Sequence, residues 1–195
     1  MMPRPFRRSF AALAVLAVLL LPTSARGQTD AAASFYAAFS GTTEANGTVQ
    51  SPSNSAGFLL ELRHISNPLV GYELNYSFNR ANQNYNNLEE IKASAHQVGA
   101  DWVVSFPVLM LKPFVLAGGG VIFFRPDSDQ PDGTSDTRFV FVYGAGIDWT
   151  VIPHIGLRFQ YRGNLYHAPD VSHAFSSTDA FTHTAEPMIG AYLRF

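Results

Sequence analysis

The segment "RHISNP" (residues 63–68) places His64, Ser66 and Asn67 within four positions of one another. A histidine beside a serine is the pairing that makes a hydroxyl nucleophilic, and Glu73 is a carboxylate that would orient the imidazole. In "DSDQPDGTSD", Asp127, Asp129, Asp132 and Asp136 offer the oxygen ligands that Ca²⁺ prefers. His167, His173 and His183 supply imidazoles farther on. Spacing weakens each of these. Pro131 stands where an EF-hand places a ligand and Gly133 comes one residue late, so a solvated acidic loop with a "PDG" turn accounts for the aspartates. The histidines are six and ten residues apart, which chelates nothing on a regular element. "NGT" at Asn46 has the form of a glycosylation acceptor. Eight charges on alternating segments, Glu73 among them, remain to be placed: Glu61, Arg63, Glu73, Asp101, Asp148, Arg158, Arg162 and Arg194. Their meaning depends on the elements that carry them.

Those elements alternate. In "VGYELNYSFN", Val70, Tyr72, Leu74, Tyr76 and Phe78 point one way, and Gly71, Glu73, Asn75, Ser77 and Asn79 the other. "HIGLRFQYRGNLY" sets Ile155, Leu157, Phe159 and Tyr161 against Gly156, Arg158, Gln160, Arg162 and Asn164. "VYGAGIDWTV", "QVGADWVVS" and "GFLLELRH" repeat the pattern. A strand sends successive side chains to opposite faces, so these are strands with one apolar and one polar face. The pattern predicts eight strands, at about 31–41, 56–66, 69–80, 93–107, 111–125, 138–152, 154–167 and 184–195. Their connections run long, short, long, short, long, short, long, the rhythm of an up-and-down meander. The fifth strand is the weakest, because Gly118, Gly119 and Gly120 blur its two faces and suggest a bend or close packing.

The N-terminus sets the compartment. Arg4, Arg7 and Arg8 precede an apolar run of 13 residues, Phe10 to Pro22, and then "TSA". This is the form of a secretory signal peptide cut near Ala25, since a membrane-spanning helix needs about 20 apolar residues. Residues 1–25 are therefore read as signal and 26–195 as one domain. The 13 Lys+Arg fall to 10 without the signal, against 15 Asp+Glu, so the mature charge is −5. That sign argues against nucleic acid as a partner. With no cysteine, thiolate catalysis, cysteine metal sites and disulfides are all excluded.

Two architectures use such a meander. A soluble barrel turns its apolar face inward, and an outer-membrane barrel turns it to lipid around a polar interior. The polar face decides. It carries four acids (Glu61, Glu73, Asp101, Asp148) and four bases (Arg63, Arg158, Arg162, Arg194), suited to pairing in a narrow space, and almost no lysine. The apolar face is rich in Tyr, Trp and Phe near strand ends. The fold class expected is an all-β, eight-stranded antiparallel transmembrane barrel behind a cleavable signal peptide. The chain also ends inside a hydrophobic row, Ile189, Ala191, Leu193 and Phe195. A closed barrel permits this, because the last strand pairs with the first and leaves no edge.

Signal, eight strands and a terminal aromatic together resemble the small outer-membrane β-barrel family, the outer membrane protein A/X-like domain, over residues 26–195. The resemblance implies a Gram-negative-type outer membrane, insertion as a monomer, long loops outside, and surroundings of outer-membrane lipid and lipopolysaccharide. It implies periplasmic chaperones and the barrel-assembly machinery as partners, the latter reading Leu193 and Phe195 as its C-terminal signal. No peptidoglycan-binding domain is expected after Phe195. The polar interior should be a plug, leaving a structural or surface-interaction role and no cofactor or metal. Two alternatives stand beside it. The lipid A deacylase family, also eight-stranded barrels, carries a His-x-Ser-Asn segment similar to His64, Ser66 and Asn67. That match is short, Ser66 lies at a short turn, and Glu73 points to the opposite face from His64, so no enzyme is expected. A small gated channel is the other.

Overall fold

The computed structural model describes residues 27–66 and 69–195. The signal segment 1–25 and the Asn67–Pro68 turn lie outside the described residues. The period-two alternation becomes strand throughout, and among the described residues no helix forms. The strands are β1 (Gln28–Ser40), β2 (Thr43–Ala45), β3 (Thr48–Pro52), β4 (Ser55–Ile65), β5 (Val70–Tyr85), β6 (Glu89–Ser105), β7 (Leu111–Pro126), β8 (Asp136–Ile152), β9 (Ile155–His167) and β10 (Phe181–Arg194).

Eight of these close into an antiparallel barrel: β1 pairs with β4, the ladder continues in order through β5 to β10, and β10 returns to β1. Tracing the pairs from Asp30 gives Arg63, Glu73, Asp101, Gly118, Val142, Asn164, Thr184 and then Ser40, ten residues farther along β1. That stagger is what closure demands. Strands must tilt for a sheet to meet its own edge, and tilt and register shift are linked. No strand edge of the wall is left open to lipid, where an unpaired backbone group would cost several kcal/mol.

The two ends of the barrel differ. At the short-turn end, β8 and β9 join through Pro153 and His154, with His154 at φ 80. At the other end the strands run past the expected boundaries. "ANQNYNNLEEIK" was expected as a loop. Instead β5 and β6 extend to Tyr85 and Glu89 around Asn86 and Asn87, both left-handed (φ 54 and 56), and Leu88 N–H donates to the Tyr85 carbonyl at 2.9 Å. Asparagine tolerates this conformation, which lets the three residues Asn86 to Leu88 close the hairpin and follow the strand twist. Within the first long loop, Asn46–Gly47 (φ 54 and 76) makes a two-residue left-handed turn between β2 and β3. The "NG" there is a hairpin signal that the glycosylation reading passed over.

The loop 168–180 folds across this mouth. Phe175 stacks on Tyr85 at 5.7 Å, Val171 is wholly buried, and Thr178 meets Thr43 at 3.0 Å. Backbone bonds from Thr134 to Val171 (3.0 Å) and from His173 to Asp132 (2.9 Å) tie it to the β7–β8 loop. Ser172 donates to Glu89 at 2.8 Å. Every other long connection thus holds this strap.

The wall has the inverted polarity expected of a membrane barrel. Glu73 and Arg158 are 0 % exposed, while Phe35 and Trp102 are 76 % and 69 % exposed. Tyr72, Trp102 and Trp149 lie outward toward the short-turn end, and Phe39, Phe123 and Phe139 outward toward the long-loop end. β7 departs from the scheme. Phe114, Leu116, Ile122 and Phe124 point inward and join a buried cluster with Val103, Val140 and Val142, while Val115 and Phe123 point out. Its two faces blurred in sequence because both are apolar. The glycines serve close packing there: a Cβ on Gly118 would collide with the Ala100 carbonyl and with Asp101.

Candidate functional site in the barrel lumen

The inward rows of β4, β5, β8 and β9 bring basic and acidic side chains together, because Arg63 lies opposite Glu73 and Asp148 opposite Arg158 in the ladder. Arg158 is the centre. Its Nε reaches Asp148 at 2.8 Å, Nη2 reaches Asp30 at 2.9 Å, and Nη1 lies 3.3 Å from Glu61 and 3.8 Å from Glu73. Arg63 binds Glu73 at 2.6 Å and Asp148 at 3.4 Å, with its guanidinium 4.1 Å from the Phe114 ring centroid. Arg162 reaches Asp101 at 3.2 Å, and Asn75 donates to the same carboxylate at 2.8 Å. All these groups are buried. In such surroundings a charge is tolerable only when paired, and each arginine here serves at least two acids.

Seven of the eight charges expected in the lumen meet here. Arg194 does not join them. It sits half-buried at the short-turn rim, within 3.5 Å of the Tyr192 hydroxyl, and its ladder partner Asp30 is taken by Arg158. Two acids were missed. Asp30 and Glu186 are both buried in the lumen, 1 % and 6 % exposed. Asp30 fell outside a first strand begun at residue 31. Glu186 shares the parity of Arg194 and could have been found by counting back, but Pro187 interrupts the pattern.

The hydrolase residues do not assemble. His64 lies on the outer side of β4, bonded to the Thr29 hydroxyl at 2.9 Å and paired in the ladder with Tyr72. Glu73 is inside and bound to Arg63. Ser66 is exposed at the turn, its N–H given to the Val70 carbonyl. Asn67 lies outside the described residues. The loop aspartates disperse as well: Asp136 holds Arg138 and the Asp170 N–H. His167 binds the Asp179 carbonyl at 2.8 Å and His183 the Tyr143 hydroxyl at 3.0 Å. Among the described residues no three His, Cys, Asp or Glu side chains are grouped to hold a metal. Leu193 and Phe195 face outward at the short-turn edge, and the Phe195 N–H donates to the Thr29 carbonyl at 3.0 Å.

What this arrangement does chemically is neutralise charge within a closed wall. Residues 10–184 match the family described as outer membrane protein beta-barrel domain. The chain belongs to that family. The barrel is accordingly an integral protein of the cell outer membrane, crossing it with strands. Solved barrels of the same shape are similar to it. Neisserial surface protein A has a TM-score of 0.61 at 14 % identity, covering 87 % of this chain and 97 % of that one. OprG from Pseudomonas aeruginosa has 0.61 at 12 %, covering 87 % and 96 %. Ail, the attachment invasion locus protein of Yersinia pestis, has 0.57 at 18 %, covering 88 % and 100 %. At these identities the likeness is one of fold. No curated protein sequence matches the chain.

Proposed function

We propose that this outer-membrane barrel is a plugged, non-conducting and non-catalytic monomer that anchors four extracellular connections, three loops and the extended β5–β6 hairpin, at the cell surface. The observation that carries the reading is the arginine lattice. Arg63, Arg158 and Arg162 tie β4 and β9 to acids on β1, β5, β6 and β8, so the lumen is spanned toward its short-turn end by buried ion pairs. Eight strands enclose little more than the volume of their own side chains. The strap 168–180 adds a second closure at the mouth. Planar bilayers provide the test: purified protein gives no reproducible conductance steps, and steps of constant size would replace the plug with the gated channel. Against the hydrolase stands the wall itself, which separates His64 from Glu73.

The exposed end carries Glu44, Glu89, Glu90, Asp127, Asp129, Asp132, Asp136, Asp170 and Asp179 against Arg80, Lys92, Arg125 and Arg138. The Yersinia pestis protein was crystallised with the heparin analogue sucrose octasulfate. An acidic rim repels such a polyanion, so the surface partner assigned to this chain is one that carries positive charge. Arg80, Lys92 and Arg125 are exposed, and all three stand on the outward face of β5–β7 beyond the aromatic band. Lipopolysaccharide phosphates at the outer leaflet are the groups suited to them. Assembly through periplasmic chaperones and the barrel-assembly machinery completes the proposal, with Leu193 and Phe195 as the signal.

A further inference from the structure

Above the arginine lattice the lumen holds a small chamber of about 30 Å³, lined in part by Tyr36, Ser40, Asn164, Tyr166, Thr184 and Glu186. Roughly 10–15 Å³ on this measure admits one water-sized particle, so there is room for an ion with a water, and for no organic ligand. Glu186 is the unusual group. It is 6 % exposed, yet its ladder partner Arg162 turns its guanidinium to Asp101 (3.2 Å) and Glu73 (4.0 Å). Among the described residues no base forms an ion pair with Glu186. Asn164 hydrogen-bonds to it. The Asn164 carbonyl oxygen, on a residue 2 % exposed, has no protein donor.

Charge and donor type then identify the ligand. The lumen acids are Asp30, Glu61, Glu73, Asp101, Asp148 and Glu186; the bases are Arg63, Arg158 and Arg162 within, and Lys112 and Arg194 at the short-turn rim. Six against five leaves one formal negative charge even with the rim bases counted, and among the described residues Glu186 is the lumen acid with no ion pair. The residues lining it offer oxygens: a carboxylate, an amide carbonyl and the hydroxyls of Tyr166 and Thr184, which bond to each other at 2.9 Å. Oxygen donors suit hard cations, and Ca²⁺ ordinarily takes several carboxylates where one stands here. We propose that the chamber binds a single alkali-metal cation, sodium or potassium, between the Glu186 carboxylate and the Asn164 carbonyl. This goes beyond the anchoring role and does not depend on it, since an ion held inside needs no open pore.

The test uses the mature barrel refolded in zwitterionic detergent, in sodium, potassium or choline chloride at equal ionic strength. Choline is too large for the chamber. Thermal unfolding followed by circular dichroism is expected at a higher midpoint in sodium or potassium than in choline, because a ligand bound only to the folded state stabilises it. In Glu186→Gln the salts are expected to be equivalent, and in choline this variant should melt above wild type because a bare buried carboxylate is gone. Wild type should also broaden the sodium NMR line, and neither Glu186→Gln nor Asn164→Ala should. The Asn164 variant serves if the glutamine variant does not refold. Equal midpoints for wild type in all three salts would overturn the proposal. So would broadening that survives both substitutions, since the ion would then lie elsewhere, as on the acidic rim.

Discussion

Replacing Arg158 by alanine is expected to cost on the order of 3–5 kcal/mol of folding stability, because it strands buried charges rather than deleting one contact. Asp30, Glu61, Glu73 and Asp148 all lie within 3.8 Å of its guanidinium. Asp148 and Glu73 keep Arg63, but Asp30 and Glu61 lose the base that neutralises them. Arg158→Lys should fall between wild type and alanine. It restores the charge but not the planar fork that serves several carboxylates at once. The comparison that gives the result meaning is Arg138→Ala. Arg138 is also paired, to Asp136 and Asp179, but with its side chain 21 % and the Asp179 side chain 67 % exposed. Such pairs contribute roughly 0.2–1 kcal/mol. Urea titration of the refolded barrel reads both. Equal losses at Arg158 and Arg138 would mean that water reaches the lattice and that it does not close the lumen.

The second large effect is expected in cells and not in vitro. Phe195→Asp places a carboxylate at the end of the outward row, 67 % exposed at the short-turn edge. A charge facing lipid costs roughly 2–4 kcal/mol at the bilayer centre and falls to about 0–1 near the interfaces. The direct penalty at Phe195 is thus small, and its one backbone bond to Thr29 does not depend on the side chain. Purified Phe195→Asp should refold in detergent almost as wild type does. In cells it should accumulate unfolded in the periplasm if, as proposed, the assembly machinery reads this residue. Wild-type levels of folded protein in the membrane would show the terminal aromatic to be incidental. Failure to refold in vitro would make it a structural residue instead.

Much of this fold was legible because a membrane barrel writes its two faces at period two. The rows Glu73–Asn75–Ser77 and Arg158–Gln160–Arg162 face inward as alternation required, since neither lipid nor lumen tolerates the other's residues. Where the reading slipped, the reason is local. β7 packs Phe114 and Leu116 inward against a buried apolar cluster, so both of its faces are apolar and parity carries no contrast. Asn86–Asn87 and Asn46–Gly47 look like loop residues by polarity, yet their left-handed conformation continues two hairpins beyond the membrane. The partners of Arg158 were not readable at all. Asp30 is 128 positions away in sequence, and which strand residues share a level depends on the ten-residue stagger of closure, which no single strand records. Glu186 was hidden by its neighbour Pro187, whose ring ends the alternation two residues before the row begins again at Ile189.

The apolar face of the barrel meets lipid and its charged face is sealed inside. The chain's two tryptophans, Trp102 and Trp149, test it without any substitution, since both project outward toward the short-turn end. In vesicles of phospholipid brominated along the acyl chains their fluorescence should be strongly quenched, while acrylamide added to the water should have little effect. Quenching by acrylamide with none by bromine would place the aromatic face in water and leave lipid no apolar wall to meet.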